Sequence, residues 1–332
     1  METLKELGER KAIELILEKL EKMPKMPIPF GDDVAAYQLN QNKLLILKTD
    51  MLVGKTDVPK GMSLWQAARK AVIMNISDFA AKGVKPLVML ASLGLPKHMT
   101  KDDLEKIAEG LNAGAREYNA YIVGGDTNEA SDLIISLSVM GIALKSAVML
   151  RSGAKPGDIV AVTGFFGKTA AGLKILLEGL EVPQKLRKIL VDSVLMPRAR
   201  LAEGLALSQT KAVTSAIDSS DGLAWSLHEI AKASNVGFIV NALPTAEETR
   251  EFAEINGLDP VELTLYGGEE YELVLTIKPK LWEKAKNSVE GVGGKLLPIG
   301  KVVAEKHILL EIKGKKSLVE PRGWEHFKSV KG

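Results

Sequence analysis

Val213-Thr214-Ser215-Ala216-Ile217-Asp218-Ser219-Ser220-Asp221-Gly222-Leu223 reads as a short apolar strand over 213–217, a polar turn and a helix over 221–233. A strand handed over to a helix is the unit from which α/β layers are built. The same transition occurs upstream, where a strand over 159–163 meets a helix over 169–178. Strands over 237–241, 271–277 and 302–312 alternate with helices near 184–207, 246–256 and 280–289. Towards the N-terminus the pattern changes. A helix over 3–22 precedes strands over 34–39 and 44–48, split by the polar turn Asn40-Gln41-Asn42. A long helix over 63–82 has Ser63 and Gln66 in capping-box spacing and Gly83 just past its end. A strand over 87–93, a helix from Thr100 to about Tyr118, and strands over 121–123 and 133–142 follow. The stretch 145–158, punctuated by Ser, Gly and Pro, is the expected boundary. The expected class is α/β with α+β layers: a mixed-sheet domain over 1–145 and an α/β domain over 146–332.

Composition narrows the function. The 332 residues suit about two domains at roughly 150 residues each. Lys and Arg number 44 against 42 Asp and Glu, a net charge of +2, so no global field favours nucleic acid or a membrane surface. The chain has no cysteine, which removes disulfides, thiolate metal sites and thiol nucleophiles. No stretch approaches the ~18 apolar residues of a membrane span, and residues 1–21 alternate charge with apolar positions rather than forming a signal-peptide core. A cytoplasmic protein is expected.

Chemistry concentrates in carboxylates at element ends: Asp32, Asp33, Asp50, Asp78, Asp126, Asp218 and Asp221. Gly31-Asp32-Asp33 is readable as a simple turn, and Thr49-Asp50 as a loop start. Gly124-Gly125-Asp126-Thr127 reads either as a tight turn or as a place where backbone amides approach a phosphate. Asp78 sits near a helix C-terminus, where negative charge opposes the dipole by roughly 0.3–1 kcal/mol. It needs a cation, and Lys82 at i+4 is one source. Ser220 or Asp221 would serve as an N-cap, but one cap does not need two aspartates. Two carboxylates ~4 Å apart repel by ~4 kcal/mol at an effective dielectric near 20. If the set converges, bound cations must hold it, and oxygen ligands without His or Cys point to Mg²⁺.

Gly164-Phe165-Phe166-Gly167-Lys168-Thr169 imitates a phosphate-binding P-loop but is two residues short, with Val162 where the first glycine belongs. Its glycines are expected to shape a structural turn.

The carboxylate motifs, together with Arg151-Ser152-Gly153-Ala154-Lys155-Pro156-Gly157-Asp158, Gly267-Gly268-Glu269-Glu270-Tyr271 and Gly323-Trp324-Glu325-His326-Phe327, resemble the thiamine-monophosphate kinase family. That family belongs to the superfamily of aminoimidazole ribonucleotide synthetase. The resemblance implies a homodimer whose N-terminal sheets form a shared barrel. It implies ATP and thiamine monophosphate in a cleft between the domains. Asp33, Thr49, Asp50, Asp78, Asp126, Asp218 and Asp221 would be ligands of several Mg²⁺ ions. Gly124, Gly125, Arg151 and Ser220 would contact nucleotide; Asp57, Glu269 and Trp324 would lie on the substrate side. Many relatives carry a histidine where this chain has Asp57, and an aspartate where it has Glu270. The zero cysteine count sets the chain apart from selenophosphate synthetases and the hydrogenase-maturation member. Another ATP-dependent ligase or cyclase of the superfamily and a catalytically silent nucleotide-binding scaffold are the alternatives.

Overall fold

The computed structural model describes residues 3–327. The N-terminal part holds α1 (Leu4–Lys19), β1 (Ala35–Gln38), β2 (Lys43–Val53), α2 (Gly54–Asp57), α3 (Leu64–Lys82), β3 (Pro86–Leu95), α4 (Lys101–Glu117), β4 (Tyr121–Glu129) and β5 (Ile134–Leu144). After it come β6 (Ile159–Val162), α5 (Lys168–Glu178), α6 (Gln184–Leu195), α7 (Leu201–Ser208), β7 (Val213–Asp218), α8 (Leu223–Ser234) and β8 (Gly237–Val240). The chain ends with α9 (Glu247–Asn256), α10 (Pro260–Tyr266), β9 (Leu273–Ile277), α11 (Trp282–Glu290), β10 (Leu297–Val303), β11 (Ile308–Ile312) and β12 (Lys315–Leu318).

Two mixed sheets result, ordered β1-β2-β5-β3-β4 and β12-β11-β8-β10-β6-β9-β7. β3–β4 and β8–β11 are parallel and the other pairings antiparallel. The mixed α/β class agrees with the expectation. No helix among the described residues is long and apolar enough to cross a membrane.

α3 is the central beam. Its N-terminus carries the expected capping box, Ser63 accepting from the Gln66 amide at 3.2 Å, and Gly83 closes it in a left-handed conformation. Nearly its whole surface is buried, because α4 and α7 flank it and it packs on β2 and β5 of one sheet and on β7 and β9 of the other.

Three local expectations are corrected. Gly124-Gly125-Asp126-Thr127 is not a turn but the middle of β4, held parallel to β3, with Val123 as an extra bulged residue. A side chain at Gly125 would run into the Ala91 backbone, so close strand approach selects glycine there. α8 begins two residues later than its expected start at 221, and its N-cap is Gly222 at φ +112°, not Ser220 or Asp221. α1 is broken at Gly8 and ends at Lys19.

Candidate active site

The period of β2 assigns its side chains to two faces. Leu44, Ile46, Lys48, Asp50 and Leu52 point towards α3, while Thr49 and Met51 point outward. α3 presents Ser77 and Asp78 to this inner side, and β7 ends there with Asp218. The turn before β1 brings in Asp33. Carboxylate oxygens of Asp33, Asp78 and Asp218 all lie within 4.8 Å of one another, and all three residues are buried. At that separation in a poorly hydrated site their mutual repulsion amounts to several kcal/mol, so the cluster persists only with counter-charge.

Three side chains supply it. Lys82 Nζ, fully buried, lies 2.6 Å from Asp32 and 2.7 Å from Asp33, and donates to the Ala216 carbonyl at 2.9 Å. It does not serve Asp78, as i+4 spacing suggested. That role falls to Lys48, whose Nζ is 2.9 Å from Asp78 and 4.0 Å from Asp50. Arg151 clasps Asp33, donating from Nε at 2.6 Å, and its Nη1 donates to the Gly31 carbonyl at 2.8 Å.

These contacts set protonation. Burial pushes Asp33 up, but Lys82 and Arg151 outweigh it and hold its carboxyl below the usual range. Burial lifts Asp218 to about 6, with Asp33 adding to the rise and a 2.6 Å hydrogen bond from Ser77 opposing it. Burial also drives Asp78 well above its ordinary value; Lys48 resists, and the neighbouring carboxylates reinforce the rise. Asp78 and Asp218, whose protons burial favours, stand beside an ionised Asp33, and a divalent cation can replace those protons. The oxygen-only donor set of three buried carboxylates fits Mg²⁺.

The cluster opens into a cleft of about 330 Å³ lined by Lys48, Asp50, Asp57, Arg151, Asp218, Ser220, Asp221, Glu269, Tyr271 and Trp324, among others. The turn after β7 is pinned by its carbonyls. Ser219, Ser220 and Asp221 accept from the amides of Tyr271 at 2.9 Å, Glu269 at 2.6 Å and Trp324 at 3.0 Å. With its backbone oxygens engaged, the turn offers its side chains to the cleft. Glu269 and Tyr271 both adopt positive φ, the strained geometry that lets 269 and 271 face the cleft. Glu269 pairs with Lys70, whose Nζ also donates to the Asp57 carbonyl at 2.9 Å. The Asp57 carboxylate instead accepts from the Val53 amide at 2.7 Å. Trp324 is 40% exposed at the rim, not closing the core.

Thr49 and Asp126 are placed apart from the triad. Thr49 lies on the outer face of β2, its hydroxyl donating to the Leu137 carbonyl at 3.0 Å. Asp126, Gly124 and Gly125 are exposed on β4, at the edge of the sheet. Asp221 borders the cleft but pairs with Arg10 at 3.2 Å, and burial raises its carboxyl to about 6. Sequence reasoning missed Lys48, Lys70 and Arg10, and gave Lys82 the wrong partner. Arg10, from α1, bridges Asp221 to Glu229 and stacks 3.7 Å above the Trp225 ring. Two-residue parity with Asp50 was the available signal for Lys48.

Models of the AIR synthase related protein match this chain, the N-terminal domain over 31–143 and the C-terminal domain over 155–313. The thiamine-monophosphate kinase of Pyrococcus horikoshii is 40% identical over 300 residues, covering 90% of this chain and 91% of the relative. The chain belongs to the thiamine-monophosphate kinase family. The Nitrosopumilus maritimus kinase is 36% identical, covering 90% of this chain and 93% of its own. A solved structure described as "AaThiL complexed with AMPPCP and TMP" superposes with a TM-score of 0.85 at 30% identity, covering 98% of this chain and 99% of that one.

Proposed function

We propose that this chain transfers the γ-phosphoryl group of ATP to thiamine monophosphate, giving thiamine diphosphate and ADP. The observation that carries the reading is the buried triad Asp33–Asp78–Asp218 opening into a cleft bordered by Arg151 and Trp324. The acceptor is a phosphate oxygen, already anionic at neutral pH, so no general base is required. The difficulty is bringing two polyanions together. Asp33, Asp78 and Asp218, with Asp50 and Asp221 at the margin, would hold Mg²⁺, which when bound screens phosphate charge. Arg151 is fixed by Asp33 and Gly31 and presents a guanidinium to the nucleotide side of the cleft. Ser220 offers a hydroxyl from the pinned turn. Trp324, half-exposed at the rim with His326 edge-to-face beside it, would meet the thiazolium cation through its indole ring. Glu269, held by Lys70, faces the same space.

The protein acts as a homodimer in the cytoplasm, with domains divided at 145/146. Support for the dimer comes from the outer face of the first sheet, where Tyr37, Met51, Leu90, Tyr121, Val123, Ile142 and Leu144 are each at least 40% exposed. Such a contiguous apolar face calls for a cover. Thr49 and Asp126 share that outer side, and a second copy closing a barrel there gives them neighbours that one chain lacks. The decisive assay incubates the purified chain with ATP, Mg²⁺ and thiamine monophosphate. Thiamine diphosphate that requires all three supports the reading; ATP consumption without it rejects the substrate.

A further inference from the structure

Of the three cations in the acidic cluster, two are locked. Lys82 has no exposure, two carboxylates and a carbonyl acceptor. Arg151 is tied to Asp33, to the Gly31 carbonyl and to Glu229 at 3.5 Å. Lys48 differs. Its side chain is 21% exposed, it borders the cleft, and its two ion-pair contacts are the carboxylates of Asp78 and Asp50. A lysine ammonium is a compact point charge on a flexible stem and exchanges partners readily.

The charges define what it does there. Asp32, Asp33, Asp50, Asp78 and Asp218 give five formal negatives, while Lys48, Lys82 and Arg151 give three positives. The remaining two negatives match one divalent ion. With Lys48 withdrawn, three remain, more than one divalent ion neutralises. Asp78 is the shared group, belonging both to the triad and to the Lys48 ion pair.

We propose that Lys48 is a resident cation that competes with divalent metal for Asp78, so that the nucleotide-free protein binds metal more weakly than its carboxylates alone dictate. This rests on the reading of the triad as a metal site. An incoming polyphosphate offers Lys48 an alternative anion, and its departure from Asp78 then favours metal. Lys48 is thus a positioning residue that links metal loading to the arrival of phosphate.

The test is a titration of the nucleotide-free full chain with Mn²⁺, free ion read by electron paramagnetic resonance. Removing a positive charge that sits 2.9 Å from Asp78 should tighten binding by at least about tenfold in Lys48→Met and in Lys48→Gln, the second neutral variant guarding against a folding defect in the first. Lys48→Arg keeps the charge and should stay within about threefold of wild type. Unchanged or weaker Mn²⁺ binding in both neutral variants overturns the proposal and makes Lys48 a prop for Asp78. Asp218→Asn separates the two readings: it should abolish the site, and a wild-type isotherm there removes the metal reading itself, and this proposal with it.

Discussion

Two strand–turn–helix junctions in the second sheet look alike and do opposite things. β6 passes to α5 through Gly167 at φ +96°, and β7 passes to α8 through Gly222 at φ +112°. Both helices lack a side-chain cap from their own N-cap residue. At the first junction, which has the P-loop-like sequence, Glu270 fills the helix N-terminus and accepts from the amides of Gly167 at 2.6 Å and Thr169 at 3.1 Å. A phosphate would have to evict a built-in carboxylate. At the second, the turn carbonyls are engaged and the side chains of Asp218, Ser220 and Asp221 line the cleft, Asp218 held by Ser77 and Asp221 by Arg10. One segment makes both arrangements: Glu269 and Tyr271 face the cleft, Glu270 turns to α5, and Glu272 turns to Arg200 and Thr163. Whether a glycine-rich junction binds a ligand is settled by what the neighbouring chain already places there.

The strongest way to break the comparison is to disarm the open junction. Asp218→Asn and Asp78→Asn should each lower kcat by at least about 100-fold, some 2.7 kcal/mol, with Tm held or raised because charge repulsion is relieved. Near-normal turnover at saturating Mg²⁺ would sink the triad as the working centre. Next in size, Trp324→Ala should raise KM for thiamine monophosphate by roughly 2–30-fold, the worth of a cation–π contact, while KM for ATP and Tm hold. A lower Tm with unchanged KM would return Trp324 to a packing role.

The plugged junction is expected to tolerate much more. Lys168→Ala should keep activity within about threefold, since a lysine beside a filled anion hole has no phosphate to hold. A loss beyond about 100-fold in a folded protein would restore the P-loop. The smallest effect is thermal. Burial lifts Glu270 from 4.5 to about 7, with the two amide hydrogen bonds opposing the rise and Glu272 adding to it. A carboxyl raised above its unfolded value gives stability that is present below about 4.5 and lost as pH climbs through about 7. Glu270→Gln has no such loss. Its Tm advantage over wild type should therefore be larger at pH 8 than at pH 5, and melts showing equal gaps at both would refute the burial account.

Much of this was legible where local chemistry decides. Ser63, Gln66 and Gly83 bracket α3 by capping alone; Asp78 stood out against its helix dipole and Asp218 with Asp221 as one aspartate more than a cap needs, whereas Asp33 read locally as a turn. The rest depends on pairing. Nothing local says that Gly124–Thr127 continues a strand; its parallel alignment with β3 does. Thr49 and Asp50 are adjacent in sequence, yet the period of β2 puts them on opposite faces. Lys82 was paired with Asp78 by helical spacing, but the turn at Asp32-Asp33 arrives from 50 residues away in sequence and takes it.

The beam formed by α3 has a consequence for how the molecule comes apart. A single apolar cluster contains Ile46 and Leu137 of the first sheet, Val72, Ile76 and Phe79 of the helix, and Leu273, Leu275 and Ile277 of the second. The second sheet also has a core of its own around Val160, Val162, Phe238 and Val240, whereas among the described residues the first sheet has none apart from this shared cluster. The dependence is therefore one-sided: the first sheet has nothing to hold it once α3 leaves the second, while the second keeps a core without the first. The acidic cluster, strung between both sheets and that helix, is tied to the weaker partner: it disperses when the first sheet lets go, even where the second still stands.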